Sequence, residues 1–519
     1  MKHCAWMLVL LFLLPGQVNA QHGYSPDWRE PVNIAGGGTR LGLSVGDNIA
    51  ATSDGAIYIA YIHTGEHRLI RSTDDGVTWE VAGQVPAEQS GLGTLAADTS
   101  DRLHMVWANR DGLVEYARTD DGGTTWTDVV ELSTSDEGEA TSPQVSVDRQ
   151  GRVHVAWHNG DHRNPSGPFA EVFYRRSPDG GDTWDDLIPL STDDEQHSAF
   201  PRFNFGSATG DDLIIPWRDE RSDGDWDVYA AVSSDGGASW EEVLAAGGSG
   251  DQWDPVSLVD PNGVAHLGIM YYPLGVNGGG TVEVDYLRST DFETWTEPQA
   301  VNPIRSRFPH LLYDYEADIL WFLTKDERDY ENPRTVHADV ISLYSSDSGL
   351  TWSEPEFATD LGDAEMGLQG YAVGPDGRVH INFLTLAQTE EETDELFFVN
   401  RHRPSEGAGI PAPAEDMGMG DVFDSDPDLA SDDASDHDDA SQTDLTGSGD
   451  SEGETNEVDA FAVDMGQDLT TTPPDSTRDS GCTQPGNSLP LGFSSVLLFL
   501  LISALAPLRS RSGRTSAHK

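Results

Sequence analysis

Lysine is nearly missing from this chain. Only Lys2, Lys325 and Lys519 occur, so arginine carries almost all of the positive charge. Bases of either kind number 30 against 90 acidic residues, for a formal charge of -60 at pH 7. That balance excludes a nucleic-acid partner, because such binders need a basic face to neutralise phosphates. An acidic, lysine-poor surface suits water rich in salt, where screening quiets the self-repulsion that the charge creates. Cysteine is as scarce, with Cys4 and Cys482 alone. Glycine (54) and proline (29) are plentiful while hydrophobic residues make up only 37%. This composition fits a turn-rich β protein with a solvated annex better than a helical one.

Long apolar runs sit at the two ends. Lys2 and His3 precede an apolar run over residues 5–14, Pro15 and Gly16 break it, and Val18-Asn19-Ala20 sets small residues where a signal peptidase cuts. Residues 1–20 are therefore expected to be a signal peptide. Cys4 leaves with it, so Cys482 has no partner for an intramolecular disulfide. Residues 489–508 are mostly apolar and uncharged, and Arg509, Arg511, Arg514 and Lys519 follow. Such a run is long enough for one transmembrane helix, with its basic flank on the cytoplasmic side. Between the main domain and this tail, residues 404–480 hold 22 acidic residues and a single base, Arg478. That segment cannot bury enough apolar surface to offset its chain entropy and reads as a disordered acidic linker.

Over residues 481–519 the order of Cys482, apolar span and arginine cluster resembles the tripartite sorting tails of myxobacterial type found on exported bacterial surface proteins. The resemblance implies a processed tail, retention at the cell surface, and Cys482 as the anchor. A plain C-terminal membrane anchor is the alternative. Either places the large domain, residues 21–403, outside the cytoplasm.

That domain repeats itself. Ser72-Thr73-Asp74-Asp75-Gly76-Val77-Thr78-Trp79 recurs as Ser177-Pro178-Asp179-Gly180-Gly181-Asp182-Thr183-Trp184. It recurs again as Ser233-Ser234-Asp235-Gly236-Gly237-Ala238-Ser239-Trp240 and as Ser345-Ser346-Asp347-Ser348-Gly349-Leu350-Thr351-Trp352. Two copies deviate. The one from Thr119 to Trp126 is read with Asp120 as its aspartate and a different turn length, and the one through Asp291 to Trp295 lacks the glycine. These segments resemble the Asp-box, or BNR repeat, of sialidase-like β-propellers, S-x-D-x-G-x-T-W.

A second pattern lies between the boxes: Gly151-Arg152-Val153-His154, Asp101-Arg102-Leu103-His104, Gly263-Val264-Ala265-His266 and Gly377-Arg378-Val379-His380, with looser relatives that bring the count to seven. Short apolar runs of four to eight residues between Gly and Asp turns read as antiparallel hairpins. The expected fold is all-β, a seven-bladed propeller of four-stranded antiparallel blades. The last unit has no box and lacks an outer strand, which Trp28-Arg29-Glu30-Pro31-Val32-Asn33-Ile34 can supply, so that the N-terminal strand closes the ring against Phe398. Closure leaves only short, protected edges. Residues copied in every unit serve the unit. The box tryptophans are therefore expected to pack between sheets, the box aspartates (Asp74, Asp120, Asp179, Asp235, Asp291, Asp347) to bind turn amides, and the repeated histidines to be structural.

Function is then expected where blades differ, on the face opposite the boxes. Long connections there carry Asp161-His162-Arg163, Asp219-Glu220-Arg221 and Asp326-Glu327-Arg328. Each Asp and Arg can pin its own loop. The alternative is a guanidinium ring for a carboxylate or sulfate, built from Arg218, Arg221 and Arg328 with Arg202, Arg305 and Arg307, and with Trp253 stacking on a sugar. The expected role is recognition of a glycan, surface polymer or protein partner by a non-catalytic monomer. No cofactor or metal is expected. Asp219, Asp223, Asp225 and Asp227 do not match a full calcium loop, which leaves calcium as a weak option.

The sialidase resemblance implies a rival reading, an exo-glycosidase acting on terminal sialic-acid-like sugars through an arginine triad, an aspartate, and a tyrosine activated by glutamate. This sequence departs from that pattern. Val45 stands where the first motif arginine belongs, and Leu368 stands where the tyrosine belongs. The displaced candidates are Tyr371 with Glu365 or Asp219.

Overall fold

The computed structural model describes residues 25–401 apart from 36–38, 41–46, 64–65, 88–92, 161–167, 223–224, 276–281, 303–304, 328–338, 361–364 and 387–393. All of these lie in the first of the chain's two units, Met1–Asp468. The signal peptide, acidic linker, Cys482 and apolar tail fall outside the described residues, as do the Asp161-His162-Arg163 loop, Asp223 and Arg328.

Seven sheets follow one another along the chain as the blades of a propeller. Blade 3 is the plainest, running outward through Ala140–Val147, Val153–Asn159, Val172–Ser177 and Ile188–Pro189. Its second strand is buried at six of seven positions because neighbouring blades cover both faces, so it reads as a continuous apolar run. The third strand, one layer further out, alternates. The core is correspondingly divided into apolar clusters between adjacent blades.

The ring closes as the repeat arithmetic requires. Val32–Ala35 is the outer strand of the sheet formed by Glu365–Val373, Val379–Leu386 and Glu395–Asn400, with Val32 opposite Phe398 and Asn33 opposite Phe397. Trp28 bridges to Arg401 and is buried beside Leu312 and Trp321 of blade 6.

The repeated turns obtain their shape from side-chain hydrogen bonds. In the first, Ser72 Oγ accepts from Gly76 N at 2.8 Å and donates to Asp74 Oδ1 at 2.9 Å, while Asp74 Oδ1 also accepts from Thr78 N at 2.8 Å. In the second it is Asp121, not Asp120, that holds the aspartate place. Asp121 Oδ1 accepts from Thr119 Oγ1 (2.9 Å) and Thr125 N (2.8 Å), whereas Asp120 pairs outward with Arg118 at 3.2 Å. The turn therefore has the same length as the others, with threonine in the serine place. In the glycine-free copy Phe292 takes the left-handed conformation (φ 63°).

Each turn also locks onto the preceding blade. In blade 3, His154 Nδ1 lies 2.7 Å from the Tyr174 hydroxyl and Nε2 lies 3.2 Å from Asp148, which also holds Arg152. The next blade's Trp240 meets the Tyr174 ring edge-on at 4.9 Å, and Gly237 lies so close that a β-carbon would overlap the hydroxyl. The same clasp joins Asp98, His104 and Tyr116 to Trp184, and Asp260, His266 and Tyr286 to Trp352. At the closing seam Phe398 replaces the tyrosine under Trp79 (5.0 Å), and His380 stacks on it without that partner.

Burial holds His380 down to about 4, so it is neutral in the native state. A folded value below the unfolded one means that the unfolded chain binds more protons below pH 6.5. The stability contribution is present above that pH and is lost on acidification toward pH 4. Between pH 7 and 4 the wild type is expected to lose about 2–3 kcal/mol more than His380→Leu, measured by urea unfolding at both pH values. Equal losses would place His380 in water.

Blade 4 keeps four strands, but its inner strand is cut short and its continuation gives the sheet of blade 5 a fifth strand. Only Ser198–Ala199 stays with its own sheet, and Phe203–Asn204 instead pairs in parallel with Asp251–Val259 of blade 5. The break falls at Phe200-Pro201. Phe200 has φ 60°, and Pro201 has no N–H to continue the ladder. The diverted strand ties three blades together at the axis, through Phe205 N to Ser146 Oγ (2.8 Å), Ser257 N to Arg202 O (3.2 Å) and Asn204 Nδ2 to Leu311 O (3.4 Å).

Candidate functional site

The diverted strand carries Arg202 to the propeller axis, and the cluster around it draws on four separate blades. Arg202 Nη2 lies 3.3 Å from Nδ1 of His310 in blade 6. The His310 ring stacks on Tyr371 of blade 7 at 4.8 Å. Asp47, at the start of blade 1, is half-buried and feels the Arg202 charge. Burial raises its carboxyl to about 7 even though Arg202 pulls it down. Burial, and then the Arg202 charge, hold His310 well below the usual imidazole range, so it is neutral. Arginine only donates, so Nδ1 of His310 accepts and the ring proton sits on Nε2. Tyr371 is buried, its phenol is pushed up by desolvation, and its hydroxyl donates to Gln369 Oε1 at 3.4 Å.

An arc of cations and rings extends from this floor over blades 4 to 6. The Arg218 guanidinium lies 4.3 Å from the Phe200 ring centre, 4.0 Å from Trp253 and 5.0 Å from Trp226. Its ion pair with Asp254 is loose at 3.7 Å. Trp253 leads to Tyr272 at 5.8 Å, and Tyr272 to Arg307 at 6.0 Å. Arg307 and Arg305 both lie 3.1 Å from Glu327, whose other oxygen is 3.9 Å from the buried Lys325.

The sequence-predicted residues thus divide. Arg202 and Tyr371 come together at the axis, and Arg218, Trp253, Arg305 and Arg307 lie along the arc. Arg221 does not join them. It is held by both oxygens of Asp219 (2.8 and 2.7 Å) and lies over Tyr229 at 4.0 Å, so here Asp-x-Arg pins its own strand end. Asp219 is buried and also accepts from Ser198 Oγ and Trp217 Nε1. The backbone of Glu365 pairs with Leu386. Among the described residues no group of three His, Cys, Asp or Glu side chains is placed to hold a metal ion.

Sequence reasoning missed His310, Asp47, Phe200 and Trp226. For two of these a signal was present in the Phe200-Pro201-Arg202 and Phe308-Pro309-His310 triplets, where a bulky residue before proline marks a break in the inner strand.

No protein-family model matches the chain, and no curated protein matches it. Among solved structures it is similar to the polysaccharide lyase Uly1, with TM-score 0.47 and 10% identity over 70% of this chain and 91% of that one. It is similar to the Hadza microbial sialidase Hz136 (TM-score 0.42, 18% identity, 66% and 76% covered). It is also similar to the Trypanosoma rangeli sialidase in complex with sialic acid (TM-score 0.41, 13% identity, 72% and 59% covered). No activity is carried across at such identity.

Proposed function

We propose that this is an exported propeller, held at the bacterial surface by its tail, that recognises an anionic glycan at the end opposite the box turns. The single observation that carries the reading is the arc from Arg218 through Trp253 and Tyr272 to Arg307. Cations and flat rings alternate along it in a chain otherwise dominated by acids, and none of these residues belongs to the repeat. Rings supply stacking faces for sugars, and guanidinium groups supply forked donors for carboxylate or sulfate.

An anionic polysaccharide should bind the full chain, and more weakly as salt rises, because the guanidinium contribution is screened. Trp253→Ala and Arg307→Ala should each weaken it about tenfold, the equivalent of roughly 1.4 kcal/mol. Retention no better than that of a neutral glucan would sink the reading, as would wild-type affinity in the double variant.

A second reading, an exo-glycosidase of sialidase type, draws on the meeting of Tyr371, His310 and Arg202. The chemistry argues against it. The acceptor for the Tyr371 hydroxyl is the Gln369 amide, which cannot take its proton as a glutamate would. Release of a fluorogenic group from a sialoside by the wild type, lost in Tyr371→Phe, would reverse this judgement.

A further inference from the structure

Arg218 stands apart from the other end of the arc. It is only 3% exposed, and three rings close around its guanidinium: Trp253 at 4.0 Å, Phe200 at 4.3 Å and Trp226 at 5.0 Å. The rings come from separate places in the fold. Phe200 follows Ser198–Ala199, Trp226 lies on Asp225–Ser233, and Trp253 lies on Asp251–Val259 of the next blade. Arg218 sits on Leu213–Ser222, between the first two in the sheet. All three rings are half-buried, so each packs on Arg218 while keeping part of its surface open.

A guanidinium is flat, weakly hydrated and able to stack on several ring faces at once, where a compact ammonium is not. Around this one, Trp226 and Trp253 meet edge to face at 6.2 Å. Rings fixed in advance lose little freedom when a ligand arrives, and that saving appears as affinity. Buried as it is, Arg218 offers a ligand little surface of its own. Its surroundings also oppose anions. Half-buried Asp254 lies 3.7 Å from it, and Glu220 is a second carboxyl beside it, raised by burial and pulled down by the Arg218 charge. Open ring faces flanked by carboxyls suit an uncharged sugar better than an acidic one.

We propose that Arg218 is a positioning residue, which holds Phe200, Trp226 and Trp253 as one platform for the C–H face of an uncharged sugar and leaves the anionic neighbour of that sugar to Arg307. The inference rests on the glycan reading above and refines it to a polymer in which charged and uncharged sugars alternate.

The test titrates the full chain with hyaluronan, in which a uronate alternates with an uncharged N-acetylated sugar, and with alginate, a uronate at every position. Hyaluronan should bind about tenfold more tightly. Arg218→Lys keeps the charge but not the flat stacking surface, and should weaken hyaluronan about tenfold, as Trp253→Ala does. The double variant should lose about tenfold rather than about a hundredfold, because Arg218 acts through the ring that is already gone. Phe200→Leu, which leaves Arg218 in place, should weaken hyaluronan as well. Without any polymer, the near-ultraviolet circular dichroism of Trp226 and Trp253 should change in Arg218→Lys, with urea unfolding to show that the variant is folded. An arginine that only stabilised the fold would lower the unfolding midpoint and leave the folded variant's affinity alone. Losses that multiply in the double variant would make Arg218 a direct contact and overturn the positioning role, as would unchanged dichroism in Arg218→Lys. Equal binding of alginate and hyaluronan, or wild-type affinity in Phe200→Leu, overturns the platform. If neither polymer binds, the glycan reading falls, and the dichroism still decides whether Arg218 holds the rings.

Discussion

Replacing Gly237 by valine is expected to lower the unfolding free energy by about 3–8 kcal/mol. Three costs add at this position. Gly237 has φ 82°, where a β-branched residue is strained by about 1–2 kcal/mol. A β-carbon there would overlap the Tyr174 hydroxyl, an overpacking cost of about 1–3 kcal/mol. Displacing that hydroxyl strips Nδ1 of the buried His154 of its partner, at about 1–3 kcal/mol. Gly263 provides the control. Its φ is 77° but nothing lies within 4 Å of a β-carbon there, so Gly263→Val should cost only the strain. Urea unfolding of the two variants separates backbone from clasp. Equal losses would mean that the turn-to-tyrosine contact contributes nothing to holding adjacent blades together.

That clasp explains what the sequence could and could not reveal. The box, the histidine motif and the tyrosine recur because one interface is built again at successive seams, and a contact copied along the chain leaves a period in it. The blade count and the closing strand follow from the same period. The Asp120 assignment failed because the repeat was read from serine and glycine; threonine fills the serine place, and with that allowed, Asp121 falls into register.

The axial cluster left no such trace. Asp47, Arg202, His310 and Tyr371 come from four blades and are more than 50 residues apart along the chain at each step. Only closure of the wheel brings them together. Arg202 and His310 have a signal that is local and small, a left-handed residue before proline two positions earlier, and it tells where an inner strand bends without telling what the bend faces. The diverted strand of blade 4 was beyond reach for a further reason. It pairs with its neighbour through parallel backbone hydrogen bonds at Phe203 and Asn204, which any side chains could make.

Removing residues 21–35 should leave the propeller without a cooperative unfolding transition. Among the described residues, the strand Val32–Ala35 alone pairs with the outer edge of Glu395–Asn400 in the sheet. With it go the buried side chains of Trp28 and Ile34, each contributing about 1.5–3 kcal/mol of burial, and the ladder hydrogen bonds opposite Phe397 and Phe398. The loss is at least ~5 kcal/mol, comparable with the whole stability of many domains. An unpaired edge would also be left on a sheet that now has none there. The damage should not stay in blade 7, because Phe398 also supports Trp79 of blade 1, so both sides of the seam loosen together. Adding residues 21–35 as a separate peptide should restore part of the transition in a concentration-dependent way, since the peptide binds only the folded ring. A truncated chain that melts sharply at the wild-type temperature would show that the ring holds without its closing strand.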